Sequence, residues 1–216
     1  SPDGQWLAFG SLNTRRNNGE ERLFMQRADG SGDAELIVKP GRAPEHWPAG
    51  EQGFTFITHR GGANNYDLWV YSPERKEVEP LVVVNETAQL SSALSADRKW
   101  VAYMSTASGD WQLYVQPYPA TGAKYQVTTG GGRSPMWSAD GRIVYDNDGK
   151  LFAVPVTLGA APSFGPPVEL PVSGHIQPLL RRNWDMMPNG REMLMLFRPG
   201  PRVNVLTDWT GRVPVR

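Results

Sequence analysis

The sequence predicts an all-β chain folded as a β-propeller, with about five consecutive four-stranded blades in an incomplete ring. Three observations predict it. A turn-and-strand unit recurs five times along the 216 residues. Each copy is followed by further short apolar runs. No stretch of ten or more residues carries the periodicity of a helix.

The unit reads SPDGQWLAF at 1–9, PAGEQGFTF at 48–56 and SADRKWVAY at 95–103, with a constant offset of 47 residues and no gap. Trp6 falls in phase with Trp100, and Phe9 with Phe56 and Tyr103. SADGRIVY at 138–145 repeats the unit one residue shorter, and MPNGREMLM at 187–195 repeats it in full. A second run follows each copy: LFMQ from Leu23, LWVY from Leu68, LYVQ from Leu113, LFAV from Leu151 and VNVL from Val203. Four copies add a third: AELIV from Ala34, VEPLVV from Val78, KYQVTT from Lys124 and PVELPV from Pro167. Runs of this length, rich in β-branched and aromatic residues and bounded by Gly, Asn, Asp or Pro, are strands joined by hairpins. The segments at Asn17, Gly61, Ser108 and Asp146 fill the same hairpin position with residues that tolerate positive φ.

A period near 45 residues with four short strands per unit fits a propeller blade. One such sheet cannot bury both faces alone, whereas sheets stacked radially bury them against each other. The blades are placed at approximately 1–40, 41–85, 86–130, 131–173 and 174–216, all in one propeller region. Trp6, Trp47, Trp100, Trp137 and Trp184 keep the phase of the repeat and are read as packing wedges between blades. The first copy lacks an inner strand before Ser1, and the last lacks an outer one, since VPVR from Val213 is short and contains Pro. The expectation is the C-terminal part of a ring of six to eight blades. The rest would lie before Ser1, leaving room for a signal or anchor upstream, and the open edges would be prone to pairing with other chains.

Composition bounds the chemistry. Lysine plus arginine and aspartate plus glutamate both number 22, so no global field draws the chain to nucleic acid or to an anionic membrane. With no cysteine, disulfides and thiolate chemistry are absent. No apolar run approaches the ~20 residues of a membrane-spanning helix, so membrane contact by these residues is not expected. The GGG at Gly130 lacks the Lys-Ser/Thr of a phosphate cradle, and no G-x-S-x-G elbow occurs. His46, His59 and His175 lie too far apart for a short ligand spacing, and Asp146 to Gly149 imitates only the start of a calcium loop. A hairpin explains that segment better. Asp185 stands almost alone on the inner strands, and one carboxylate is no catalytic pair. Neither catalytic residues, nor a metal site, nor a cofactor is expected.

The SPDG turn resembles the WD40-like repeats of the periplasmic TolB family and related propellers. LYVQPYPATGAKYQVTTGGGRSPMWSADGR, with LFAVPV after it and RVNVLTDW near the end, resembles the C-terminal propeller of bacterial membrane-bound serine/threonine kinases. That second resemblance covers about residues 85 to 216, while 1 to 84 match only the generic repeat. WPAG, SADR and MPNG depart from the usual turn. The resemblance implies an extracytoplasmic, non-catalytic binding or sensing module joined to a signalling protein. A TolB-like scaffold, or the propeller part of a hydrolase, lyase or peptidase, is the alternative.

One constellation suggests a site. The loops entering the innermost strands of a propeller gather at one mouth of its channel, and here they carry Arg42, His46, Arg133, Arg181 and Arg182. The third blade offers neutral Gln89 at that position. Convergent cations in a concave mouth would hold a small anionic ligand or an acidic segment of a protein partner.

Overall fold

A computed structural model describes residues 1–11, 20–49, 53–61, 65–175, 182–187, 192–197 and 202–206. Among them there is no helix, and the strands form successive antiparallel sheets. The first sheet holds β1 (Trp6–Ser11), β2 (Arg22–Arg27) and β3 (Glu35–Val38). In the second, β4 (Ala43–His46), β5 (Phe54–His59), β6 (Tyr66–Ser72) and β7 (Glu77–Val82) lie in chain order. The third repeats this with β8 (Gln89–Leu94), β9 (Trp100–Ser105), β10 (Gln112–Pro117) and β11 (Tyr125–Gln126). In the fourth, β12 (Arg133–Trp137), β13 (Ile143–Asn147) and β14 (Lys150–Val154) are joined by β17 (Val168–Ser173). A two-stranded ribbon of β15 (Val156–Thr157) and β16 (Ser163–Phe164) interrupts the path between β14 and β17, where Pro155 ends the third strand. The fifth sheet has β18 (Trp184–Met186), β19 (Met193–Phe197) and β20 (Arg202–Leu206).

The turn opening each repeat is built by one piece of local chemistry. The Ser1 hydroxyl donates to the Asp3 carboxylate at 2.5 Å and accepts the Trp6 N–H at 2.8 Å, while the Gln5 N–H donates to Asp3 at 3.0 Å. Ser95, Asp97, Lys99 and Trp100 reproduce it at 2.7, 3.1 and 3.1 Å, and Ser138, Asp140 and Arg142 form the same clasp. A side chain that bonds its own backbone two residues on is what makes Ser and Asp turn formers. The next residue is left-handed in all three: Gly4 at φ 70°, Arg98 at φ 57° and Gly141 at φ 82°. The hairpin predicted at Asp146 is also present, with Asn147 opposite Lys150 and Asp148 and Gly149 both at positive φ. The segment at Asn17 lies outside the described residues.

Side-chain alternation shows how the sheets stack. On β5, Phe54 and Phe56 pack toward the first sheet with Leu23, Met25 and Val38, while Ile57 packs toward the third with Leu68, Leu90 and Tyr103. On β13, Ile143 and Tyr145 face that same core, and Val144 turns to another with Leu151, Met136 and Met193. Strands buried on both faces have no polar alternation, and β8 is buried along its whole length. The end sheets differ. Leu7 and Phe9 on β1 are 56% and 38% exposed, flanking the better-buried Ala8, and Leu194 and Leu196 on β19 are 40% and 43% exposed, flanking the buried Met195. The arc therefore ends at both sides on a partly open apolar face, the pattern of an incomplete β-propeller.

Trp137 shows how an indole closes a seam. Its ring belongs to the cores on both sides of the third and fourth sheets, and its Nε1–H donates to the Ala93 carbonyl on β8 at 3.0 Å. Trp184 is 3% exposed, and Trp47 packs on Phe54 at 4.8 Å between ring centroids. Trp137→Phe is expected to cost about 2 kcal/mol, one hydrogen bond with its orphaned carbonyl plus lost ring contact. A lower denaturant midpoint at unchanged slope would show it.

Candidate binding site at the ring axis

The innermost strands β4, β8 and β12 each slip register once, between Pro44 and His46, between Leu90 and Ala93, and between Arg133 and Met136. A bulge bends its strand, strengthens the local twist and releases backbone groups from the ladder. Ser91 and Ser134 occupy the same place in two of these bulges, at φ 53° and 54°. The released groups of β8 are then taken by side chains of β4. Glu45 Oε1 accepts the Ser91 N–H at 2.9 Å; Oε2 accepts the Ser92 N–H at 2.6 Å and its hydroxyl at 3.0 Å. His46 Nδ1 accepts the Leu94 N–H at 3.1 Å, and the His46 N–H donates to Thr55 Oγ1 at 3.1 Å. Two side chains thus bridge the inner edges of neighbouring sheets, where no ladder runs between blades.

Arg182, just before β18, completes the cluster. Its guanidinium donates to the Glu45 carbonyl at 3.0 Å and to the Pro135 carbonyl at 3.5 Å, tying the fifth sheet to the second and fourth. Glu45, His46 and Arg182 each keep part of their surface accessible while surrounded by protein. Burial raises the Glu45 pKa against the opposing pull of the Ser91 and Ser92 donors and of Arg182. Burial, reinforced by the Arg182 charge, lowers the His46 pKa to about 3. The imidazole is therefore neutral at physiological pH, with its proton on Nε2, since Nδ1 accepts. Burial also lowers the Arg182 pKa, opposed by Asp185 and Glu45.

Of the residues predicted to line the mouth, His46 and Arg182 come together here. Arg42 pairs with Glu21 at 2.7 Å and lies over the Tyr66 ring at 5.3 Å, tying the first sheet to the second. Arg133 opens β12 opposite Asp146. Arg181 lies outside the described residues. Gln89 donates to Thr87 Oγ1 at 2.5 Å, and Asp185 is exposed.

Glu45, Ser91 and Ser92 were not singled out from the sequence. The only available signal is phase, which places Glu45 level with Ser92 and Pro135 at the bulge. A second unpredicted pairing ties β13 to the segment that follows β17. Asp146 Oδ2 and His175 Nε2 are 2.5 Å apart with both side chains fully buried, so Asp146 serves an inter-sheet tie rather than a calcium loop. Among the described residues no group of three or more His, Cys, Asp or Glu could hold a metal, and no helix is long and apolar enough to cross a membrane.

The ordered sheets and their axial cluster define a β-propeller, and solved structures carry the same fold. A TolB protein from Acinetobacter baumannii superposes with a TM-score of 0.63 at 18% identity, over 96% of this chain and 50% of that one. A candidate TolB from Agrobacterium tumefaciens gives 0.58 at 18% identity, over 71% of this chain and 58% of the other. XC5397 from Xanthomonas campestris, a gluconolactonase, gives 0.57 at 14% identity, over 86% and 68%. The chain thus spans 50% to 58% of the two TolB structures it matches. No family model and no curated protein matches the sequence. The likeness establishes the TolB-type propeller fold and does not extend to the kinase-linked part of the sequence resemblance.

Proposed function

We propose that this chain is part of a TolB-like propeller acting as a non-catalytic scaffold that docks a protein or a small anionic ligand at the channel mouth. One observation carries the reading. The groups at the axis best suited to chemistry are already bonded to backbone: Glu45 and His46 to N–H groups of β8, and Arg182 to carbonyls of β4 and β12. A general acid or base has to be within reach of a substrate proton, and these side chains are spent on holding inner strands in place. Arg133 and Arg182, at the entries to two inner strands, supply the positive charge of the mouth. Action outside the cytoplasm follows from the resemblance to the TolB family. A kinase-linked sensing module is the second reading, favoured by the resemblance of residues 85 to 216.

The test uses the full-length protein. A photo-crosslinking residue at position 133 or 185 is expected to give discrete adducts in cells, and the purified protein is expected to leave lactones, pectic oligosaccharides and prolyl peptides intact. Turnover lost in Glu45→Gln or His46→Asn would overturn the reading, as would a lack of adducts from both positions.

A further inference from the structure

We propose that the Ser91–Ser92 bulge of β8 is a carboxylate-binding site which the chain fills with its own Glu45, and which a guest bearing a free carboxylate can occupy in its place. Consecutive backbone N–H groups turned the same way by a left-handed residue make a concave anion receptor. Here Ser91 supplies the left-handed residue at φ 53°. The two N–H groups and the Ser92 hydroxyl meet the two carboxylate oxygens at 2.9, 2.6 and 3.0 Å, so each oxygen has its own backbone donor. The receptor is built rather than incidental, because Ser91 and Ser92 are only 3% and 0% exposed. The Ser91 hydroxyl is also buried without a hydrogen-bond partner among the described residues, and adds a donor that Glu45 does not use.

Sequence explains why the receptor is on this blade. The equivalent bulges of β4 and β12 carry Pro44 and Pro135, and proline has no N–H to offer. β8 has serine at both positions. The carboxylate arrives from 46 and 47 residues upstream, across the gap between two sheets, on a side chain with rotatable bonds of its own. Arg182 sits on the backbone side of the same residue, at the Glu45 carbonyl, so a guest carboxylate would enter a positive field.

The inference deepens the binding-module reading and rests on it only for the identity of the guest, because the receptor itself can be tested with acetate. In the full chain carrying Glu45→Ala, sodium acetate at 0.1 M, compared with chloride at equal ionic strength, is expected to raise Tm by roughly 2–4 °C. The Ser91 and Ser92 amide resonances should shift, and in wild type, where the tethered Glu45 competes for the same donors, the same shifts should need far more acetate. A tripeptide with a free C-terminus should reproduce the shift while its amidated form does not, separating a peptide guest from a small acid. If the alanine variant does not fold in chloride, the readout becomes its yield on refolding in acetate against chloride. Equal responses of variant and wild type, unmoved Ser91 and Ser92 amides, or equal refolding yields would overturn the proposal. Failure of crosslinking at the mouth would leave this result untouched and count against the scaffold reading alone.

Discussion

Alanine in place of His175 is expected to destabilise the chain by about 3 kcal/mol, because it breaks a buried ion pair. His175 follows β17 on the way to β18, and its ring meets Asp146 on β13 at 2.5 Å with no solvent on either side chain. Removing the ring strands a carboxylate in the interior, where the Gly149 N–H at 3.4 Å is a distant donor. A buried polar group that has lost its partner suffers its full desolvation penalty, and a carboxylate suffers more than an amide. Asp146→Asn should therefore cost less than His175→Ala, and the double variant should cost less than the sum of the two, because both members of one contact are gone. Chemical denaturation of the four proteins measures this directly. Additive losses would mean that the pair contributes nothing as a pair.

Acidification should destabilise the chain through His46, and His46→Asn should remove that part of the response. The unfolded imidazole takes up a proton near pH 6.5, while the folded one resists until about pH 3, because burial and the Arg182 charge oppose it. Between those values the unfolded state binds more protons, so stability falls as pH falls. The slope is at most ~1.4 kcal/mol per pH unit, which amounts to about 2 kcal/mol between pH 6.5 and pH 5. Glu45 works in the opposite sense. Its raised folded pKa means that its contribution is present below the unfolded value and is lost as pH rises through the folded one. Comparing wild type with His46→Asn cancels the Glu45 contribution, since asparagine keeps an acceptor for the Leu94 N–H without titrating. Equal acid slopes in the two proteins would refute the assignment.

Most of the fold is legible along the chain because its rules are local and periodic. The Ser1, Ser95 and Ser138 turns close through hydroxyl and carboxylate groups two residues apart, so the spacing is written into the sequence. The Asp148–Gly149 hairpin is equally local. The axial site was half legible: His46 and Arg182 carry charge or titrate and fall at the right phase, whereas Glu45 and the two serines match no motif. Arg42 precedes β4, and its guanidinium is committed to Glu21. Phase gives the position of a side chain along the blade and says nothing of its partner.

Local chemistry along the chain dictates short strands, tight turns and apolar residues on both strand faces, from which radial stacking follows. Which polar groups meet depends on how the sheets pack. Arg182 reaches a carbonyl 137 residues away, and Glu45 reaches amides 46 and 47 residues away. Each crossing between sheets is tied by different chemistry: Arg42 with Glu21, Arg60 with the Val84 carbonyl and Asn85, Gln112 with Thr128, and His175 with Asp146. A repeat reveals what its copies share. Polar pairing depends on where stacked sheets bring loops and bulges together, and hydrogen-bond complementarity can be met there by several residue pairs, so no common pattern marks it in advance.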